Sequence, residues 1–139
     1  MIIDTTYLLP LSKIGIDTDL LKIVVMEDNV PLGDIGVSLI SLFELQAKAV
    51  KLNVSPRHVI EAVDVINTVF RVEPFYNPKI IEIADRLSRK LDYMDSLILG
   101  TAVVLKEDLV TEDSKIKGMK KEIMQDFGIN VLSYKNFKR

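Results

Sequence analysis

The sequence predicts an α/β fold with a mostly parallel central sheet and helices on both faces. Three observations carry that expectation. Short apolar segments alternate with longer amphipathic ones, the pattern of strand–helix units stacked in three layers. Helix starts are marked by a cap residue followed by proline, at Ser55-Pro56 and Asn77-Pro78. Acids recur where strands end or helices begin: Asp4, Glu44, Asp95 and Asp113. In an open α/β sheet such points gather at the carboxyl edge, where ligands bind.

The elements follow in order. Ile2–Asp4 reads as a short buried strand and Thr6–Lys13 as the start of the first helix. Asp17–Asp28 is helical, with Leu20, Leu21, Val24 and Val25 on one face. Pro31, Gly33 and Gly36 mark a turn over Asn29–Gly36. Val37–Ile40 is the second strand, and Ser41–Lys51 the helix after it. The helix from Ser55-Pro56 runs to about Asn67. Val69–Val72 is a third strand, ended by Pro74. Beyond Asn77-Pro78, a helix turns Ile80, Ile81, Ala84, Leu87 and Leu91 inward. Asp95–Leu105 is apolar on nearly every face and is expected to be buried. Gly100, four residues after Ser96, gives that helix a small face suited to close packing. Leu109–Thr111 is a strand, Ser114–Phe127 a helix stopped by Gly128, and Ile129–Leu132 the last strand. The tail Ser133–Arg139 is polar and basic.

A chain of 139 residues is expected to form one domain, with residues 133–139 as its tail. Cysteine is absent and His58 is the one histidine, so Cys-based and multi-histidine metal sites are excluded. Any metal would be held by oxygen, which points to Mg²⁺ or Mn²⁺. No secretory signal or membrane span is evident, so a cytoplasmic protein is expected. A net charge of -2 neither marks nor excludes a nucleic-acid binder. His58 is read as a surface residue. Gly33 and Gly36 make no phosphate loop, because no Lys-Ser/Thr follows.

Each acid also has a purely structural explanation. Asp95 and Asp113 stand where N-caps stand. Glu44 follows Ser41 at capping-box spacing and precedes Lys48 by one turn. Asp4 is harder to explain that way, because it ends a short strand in Asp-Thr-Thr. Capping and ligation are compatible, since a helix dipole stabilises the carboxylate that a cation needs. Four gathered carboxylates repel one another unless a cation joins them or some are protonated.

Four segments together resemble the PIN-domain nucleases, and among them the small VapC-type toxins. They are Asp4-Thr5-Thr6 after an apolar start, Ser41-Leu42-Phe43-Glu44-Leu45, Asp95-Ser96-Leu97-Ile98-Leu99-Gly100-Thr101-Ala102, and Leu109-Val110-Thr111-Glu112-Asp113. The likeness runs from about residue 2 to residue 133. It implies a PIN-like three-layer fold and metal-dependent endoribonuclease activity. Asp4, Glu44, Asp95 and Asp113 match the acidic quartet. Thr5 and Thr6 match the polar residues after the first acid, and Thr111 the hydroxyl residue before the last. Ser96 departs from the alanine that the family often carries. The resemblance also implies an RNA substrate, a small antitoxin partner and a homodimer.

Mg²⁺ keeps several waters and takes one or two carboxylates directly. Asp4 and Asp95 are therefore expected as direct ligands. Glu44 and Asp113 are expected to bind through water, hold a second ion or orient the nucleophile. Asp92 is read as a surface acid. Arg86, Arg89, Lys90 and the basic residues of Lys115–Lys121 are candidates for flanking an RNA groove. The tail mixes cations with Tyr134 and Phe137, which suit base stacking. Competing readings are a non-catalytic PIN-like RNA- or protein-binding module, a housekeeping RNA-processing nuclease, and a receiver-like domain phosphorylated on Asp4. The last leaves three of the four acids unexplained.

Overall fold

The computed structural model describes residues 1–138. Five parallel strands form one sheet in the order β3-β2-β1-β4-β5. They are β1 (Ile2–Ile3), β2 (Gly36–Ser38), β3 (Arg71–Glu73), β4 (Leu109–Val110) and β5 (Val131–Leu132). The seven α-helices among the described residues are α1 (Leu20–Glu27), α2 (Leu39–Lys51), α3 (Pro56–Val69), α4 (Pro78–Leu87), α5 (Tyr93–Leu105), α6 (Ser114–Gly118) and α7 (Lys120–Phe127).

The central strand explains the layering. Ile2 and Ile3 are both fully buried but point to opposite faces. Ile3 packs with Tyr7, Leu20, Leu45, Ala62 and Ile66, the core under α1, α2 and α3. Ile2 packs with Leu87, Ile98, Leu99, Ile116 and Ile123, the core under α4 to α7. Burial on both faces is why the strands read as unbroken apolar runs. Helix α5 is buried from Ser96 to Val103. A Cβ on Gly100 would lie 3.3 Å from the Ile80 carbonyl oxygen of α4, so the glycine serves close helix packing.

Register fixes the carboxyl edge. Ile3 pairs with Val37 on one side and with Val110 on the other. Asp4, Ser38 (the last residue of β2) and Thr111 come next along the three strands and therefore lie level with one another. The Asp4 N–H still donates to the Val110 carbonyl (3.0 Å), and that of Thr111 to Leu132 (2.9 Å).

Several boundaries differ from expectation, each for a local reason. Residues Thr5–Ser12 form a 3₁₀ helix rather than an α-helix. Pro10 lies inside it and cannot donate to an α-helical ladder. Strand β2 ends two residues early because the Ser38 hydroxyl accepts the Ile40 N–H and starts α2 at Leu39. Ile40 is thus helical, and Ser41 is a buried helix residue rather than a cap. Helix α3 runs on to Val69, which moves β3 to Arg71–Glu73. Helix α1 starts only at Leu20, where Asp19 accepts the Lys22 N–H. The expected helix Ser114–Phe127 breaks at Met119 into α6 and α7. Ile81 is not inward, being 43% exposed. The tail is folded: Ser133 and Asn136 cap a 3₁₀ turn over Tyr134–Phe137, and Tyr134 and Phe137 pack on the first core. Both rings are half-buried against that core, with Lys138 over the Tyr134 ring (4.9 Å), and Arg139 lies outside the described residues.

Candidate active site

Four separate segments meet at the carboxyl edge. Asp4 ends β1, Glu44 lies on the second turn of α2, Asp95 in the first turn of α5, and Asp113 caps α6. All four line one cavity of about 400 Å³, together with Thr5, Thr6, Lys48, Asp92 and Glu112. Among the described residues no three acidic side chains close on a single point; they line the walls instead.

Asp4 is the deepest of the four, 8% exposed. Its two oxygens are held from opposite sides. Oδ1 accepts the Thr5 N–H (2.7 Å) and Oδ2 accepts the Thr111 hydroxyl (2.6 Å). The Thr111 oxygen in turn accepts the Asp113 N–H (3.0 Å), so one threonine ties the first acid to the loop carrying the last. The Thr5 hydroxyl donates to Glu44 Oε1 (2.8 Å) and shares a hydrogen bond with the buried Ser41 hydroxyl at the same distance. Thr6 lines the cavity, and its side chain makes no hydrogen bond among the described residues. Asp113 fills both roles weighed for it, since it caps α6 through the Ile116 N–H (2.9 Å) and lines the cavity.

Asp95 is not a cap. That task belongs to Asp92, whose Oδ1 accepts the Asp95 N–H (2.8 Å). Asp92 is exposed, as expected, but it stands at the rim of the cavity rather than away from it. The carboxylate of Asp95 is thereby released from structural duty and faces the other acids.

The electrostatics separate these groups. Burial pushes the Asp95 carboxyl up to about 7, and the charges of Asp4, Asp92 and Asp113 push the same way. Burial raises Asp4 as well, against the opposing hydrogen bonds from Thr111 and Thr5. Burial likewise raises Glu44, against its bond from Thr5. Burial and mutual repulsion, only partly offset by Lys48, raise these acids together in one cleft, the mark of a functional site. Glu112 differs. Burial would raise it, but Tyr7 Oη–H, the Tyr134 N–H (2.9 Å) and Lys117 (3.3 Å) all donate to it and hold it below the ordinary range. It is a structural acid on the cavity wall.

The groups around the cavity that could ligate a cation are all oxygen donors, and no ion pair among the described residues holds Asp4, Glu44, Asp95 or Asp113. This donor set fits a hydrated Mg²⁺ or Mn²⁺ that touches one or two carboxylates and reaches the others through water. It does not fit a bare ion gripped by all four.

Three residues in this site escaped the sequence reading in whole or part. Lys48 was visible only as a partner one turn from Glu44, although that spacing already put both on one helix face. Asp92 precedes Asp95 by three, the cap-to-first-turn spacing that identifies the true N-cap. Glu112 gave no local signal, because its partners Tyr7 and Tyr134 lie 105 and 22 residues away. The expected basic flank is elsewhere. Arg86, Arg89 and Lys90 line a different cavity of about 160 Å³ with Leu87, Ile123 and Phe127. His58 lies on α3 and lines no part of the acidic cavity.

Fold and site together define a parallel α/β domain with an acidic carboxyl-edge cavity. The family model of the PIN domain matches residues 1–122, and the chain belongs to the PIN domain family. Comparison with curated proteins gives no match. Among solved structures, a toxin–antitoxin complex from Klebsiella pneumoniae is 24% identical, with a TM-score of 0.59 over 82% of this chain and 87% of that one. VapBC2 from Rickettsia felis, bound to a DNA fragment from their promoter, is 19% identical with a TM-score of 0.61, covering 95% and 96%. FitAcB from Neisseria gonorrhoeae is 16% identical with a TM-score of 0.64, covering 96% of both chains. At these identities the likeness is one of fold. Among the described residues no helix is long and apolar enough to cross a membrane.

Proposed function

We propose that this chain is a metal-dependent endoribonuclease and the toxin of a toxin–antitoxin pair, acting in the cytoplasm. The observation that carries this reading is the cavity itself. Four acids from four distant segments share it, and burial, with the charge of neighbouring acids, raises three of them. Asp4 and Asp95 are the residues to hold Mg²⁺ or Mn²⁺, with Glu44 and Asp113 as the supporting pair. When bound, the ion lowers the pKa of water and neutralises charge on the phosphate.

The protein's own part is positioning. Thr111 and the Thr5 N–H fix the two oxygens of Asp4, so its carboxylate cannot rotate. Thr5 orients Glu44 from the same strand end. Glu44 and Asp113 line the same cavity and can accept a proton from an attacking water. The fold likeness to the Klebsiella toxin–antitoxin complex and to VapBC2 supports a small antitoxin as partner. A homodimer belongs to the same proposal.

The test is incubation of pure protein with RNA in Mg²⁺, in Mn²⁺ and in EDTA. Cleavage with either metal, loss in EDTA, and loss in Asp4→Asn are expected. Equal activity of Asp4→Asn and wild type would remove the quartet as the catalytic centre. Metal binding without cleavage of any RNA would leave a binding module.

A further inference from the structure

We infer that helix α2 carries a two-lysine track for the substrate backbone, with Lys48 receiving the phosphate beside the scissile one and Lys51 the phosphate beyond. This rests on the nuclease reading above and deepens it. Glu44, Lys48 and Lys51 fall at i, i+4 and i+7, one face of a single helix. The stripe begins inside the acidic cavity at Glu44 and runs outward by successive turns. Lys48 is the one cation among the described residues lining that cavity. A second, shallower depression of about 180 Å³ adjoins it and is lined by Glu44, Ala47, Lys48, Lys51 and Met94. Glu44 and Lys48 belong to both, so the two hollows form one continuous surface.

A phosphodiester strand entering an acidic cleft is repelled everywhere except where a cation meets it. A metal at the acids neutralises only the reacting phosphate. Its neighbours need cations of their own, and those cations must be free. The other candidate basic groups are engaged: Lys117 with Glu112 (3.3 Å), and, at the separate cavity, Lys90 with Glu122 (3.0 Å) and Arg86 over the Phe127 ring (5.6 Å). Lys48 and Lys51 are exposed, and no ion pair among the described residues holds either. Ala47 and Met94 add apolar lining to the depression that both lysines share. A polarizable methionine there suits a ribose or base edge, not a phosphate. Two cations and an apolar lining in one depression suit two phosphates and the nucleoside that joins them.

The test uses the full chain and a fluorescent single-stranded RNA oligonucleotide. Affinity is measured in EDTA across a salt series, and kcat and KM are measured with Mn²⁺. Lys48→Ala and Lys51→Ala should each weaken binding roughly three- to tenfold. Each should lower the salt slope by about 1. In Lys51→Ala the loss should fall on KM, with kcat retained. Lys48→Arg should restore binding, since the charge is kept. Lys90→Ala serves as the control and should bind like wild type. Unchanged affinity and slope in both alanine variants, with a wild type that cleaves RNA, would overturn the track and leave the nuclease standing. A wild type that neither binds nor cleaves RNA would overturn the nuclease reading itself.

Discussion

The two edges of the sheet carry the same kinds of residue and treat them in opposite ways. At the amino edge, Glu107 accepts the chain's own N-terminus (2.7 Å) and Arg71 (2.5 Å). Arg71 also reaches Glu73 (2.8 Å) and the Asp34 carbonyl (3.1 Å). Its path crosses Gly36, where a Cβ would sit 3.0 Å from Arg71 Nη2 and 2.6 Å from Ile2 Cδ1. Burial would raise Glu107, yet these partners hold it below the ordinary range, and Glu107 in turn raises Arg71. At the carboxyl edge, Asp4, Glu44 and Asp95 are all raised, and one lysine lines their cavity. Balanced charge at one end ties strands together. Unbalanced charge at the other costs stability, and the fold tolerates it only where a ligand supplies the missing sign.

The sharpest way to break this comparison is to neutralise the deepest acid. Asp4→Asn should lower RNA cleavage about a thousandfold or more, the scale of losing a group central to catalysis. Its fold should survive, because the amide oxygen still accepts the Thr5 N–H and the amide NH2 can donate to the Thr111 oxygen in place of the lost bond. Circular dichroism and single-turnover cleavage check the two halves separately. A variant that is inactive because it is unfolded would say nothing special about the carboxyl edge.

Next in size is Thr111→Val. It removes the hydroxyl that binds Asp4 Oδ2 and accepts the Asp113 N–H. The shape is kept, so the change is nearly electronic. Activity should fall about tenfold, the equivalent of roughly 1.4 kcal/mol. Stability should fall by about 1 kcal/mol, since a buried carboxylate and an N–H both lose a partner. Kinetics that match wild type would show that Asp4 needs no such anchor.

The third effect is a dependence on pH and metal together. Asp95 titrates near 7 in the fold and near its ordinary value of 3.8 when unfolded. Between those values the folded state binds more protons, so metal-free stability should fall as pH rises through that window. A divalent cation removes the penalty by supplying positive charge, and its binding should release protons. Melting curves with and without Mn²⁺ should therefore separate more at pH 8 than at pH 5. A separation that is the same at both would mean that the raised acids are not where the ion sits.

The sequence carried the layering and the quartet because both depend on local pattern. Ile2 and Ile3 had to be buried on two faces, and acids at strand ends or in the early turns of helices fall at the same edge. The quartet's neighbours were less legible. Glu112 looks like any exposed acid until Tyr7 and the tail at Tyr134 are brought to it. Ser41 looks like a cap until Ser38, three residues earlier, proves to hold that position. Asp95 looks like a cap until Asp92 takes the Asp95 N–H. In each case the deciding partner is either far along the chain or a rival for the same local role. Neither can be weighed from one segment alone. The amino-edge network was illegible for the same reason, since Met1, Arg71 and Glu107 meet only once the strands are in order.

The smallest expected effect is at that amino edge, and it completes the contrast. Glu107→Gln keeps the size of the side chain but leaves the N-terminus and Arg71 without their shared anion. The pairs are partly exposed, with 23% of the Glu107 side chain and 36% of Arg71 open to water. Solvent screening therefore limits the loss to about 0.5–1 kcal/mol, read as a drop of a few degrees in melting temperature. RNA cleavage should be unchanged, because the network lies at the opposite edge from the acids. Its pH signature is also the reverse of that of Asp95. A lowered carboxyl contributes stability above its ordinary value of 4.5 and loses it as pH falls through the folded value. Wild type and Glu107→Gln should thus converge in stability in acid and separate at neutral pH. If Glu107→Gln instead lost activity at unchanged stability, the two edges would be coupled, and the division of labour drawn between them would fail.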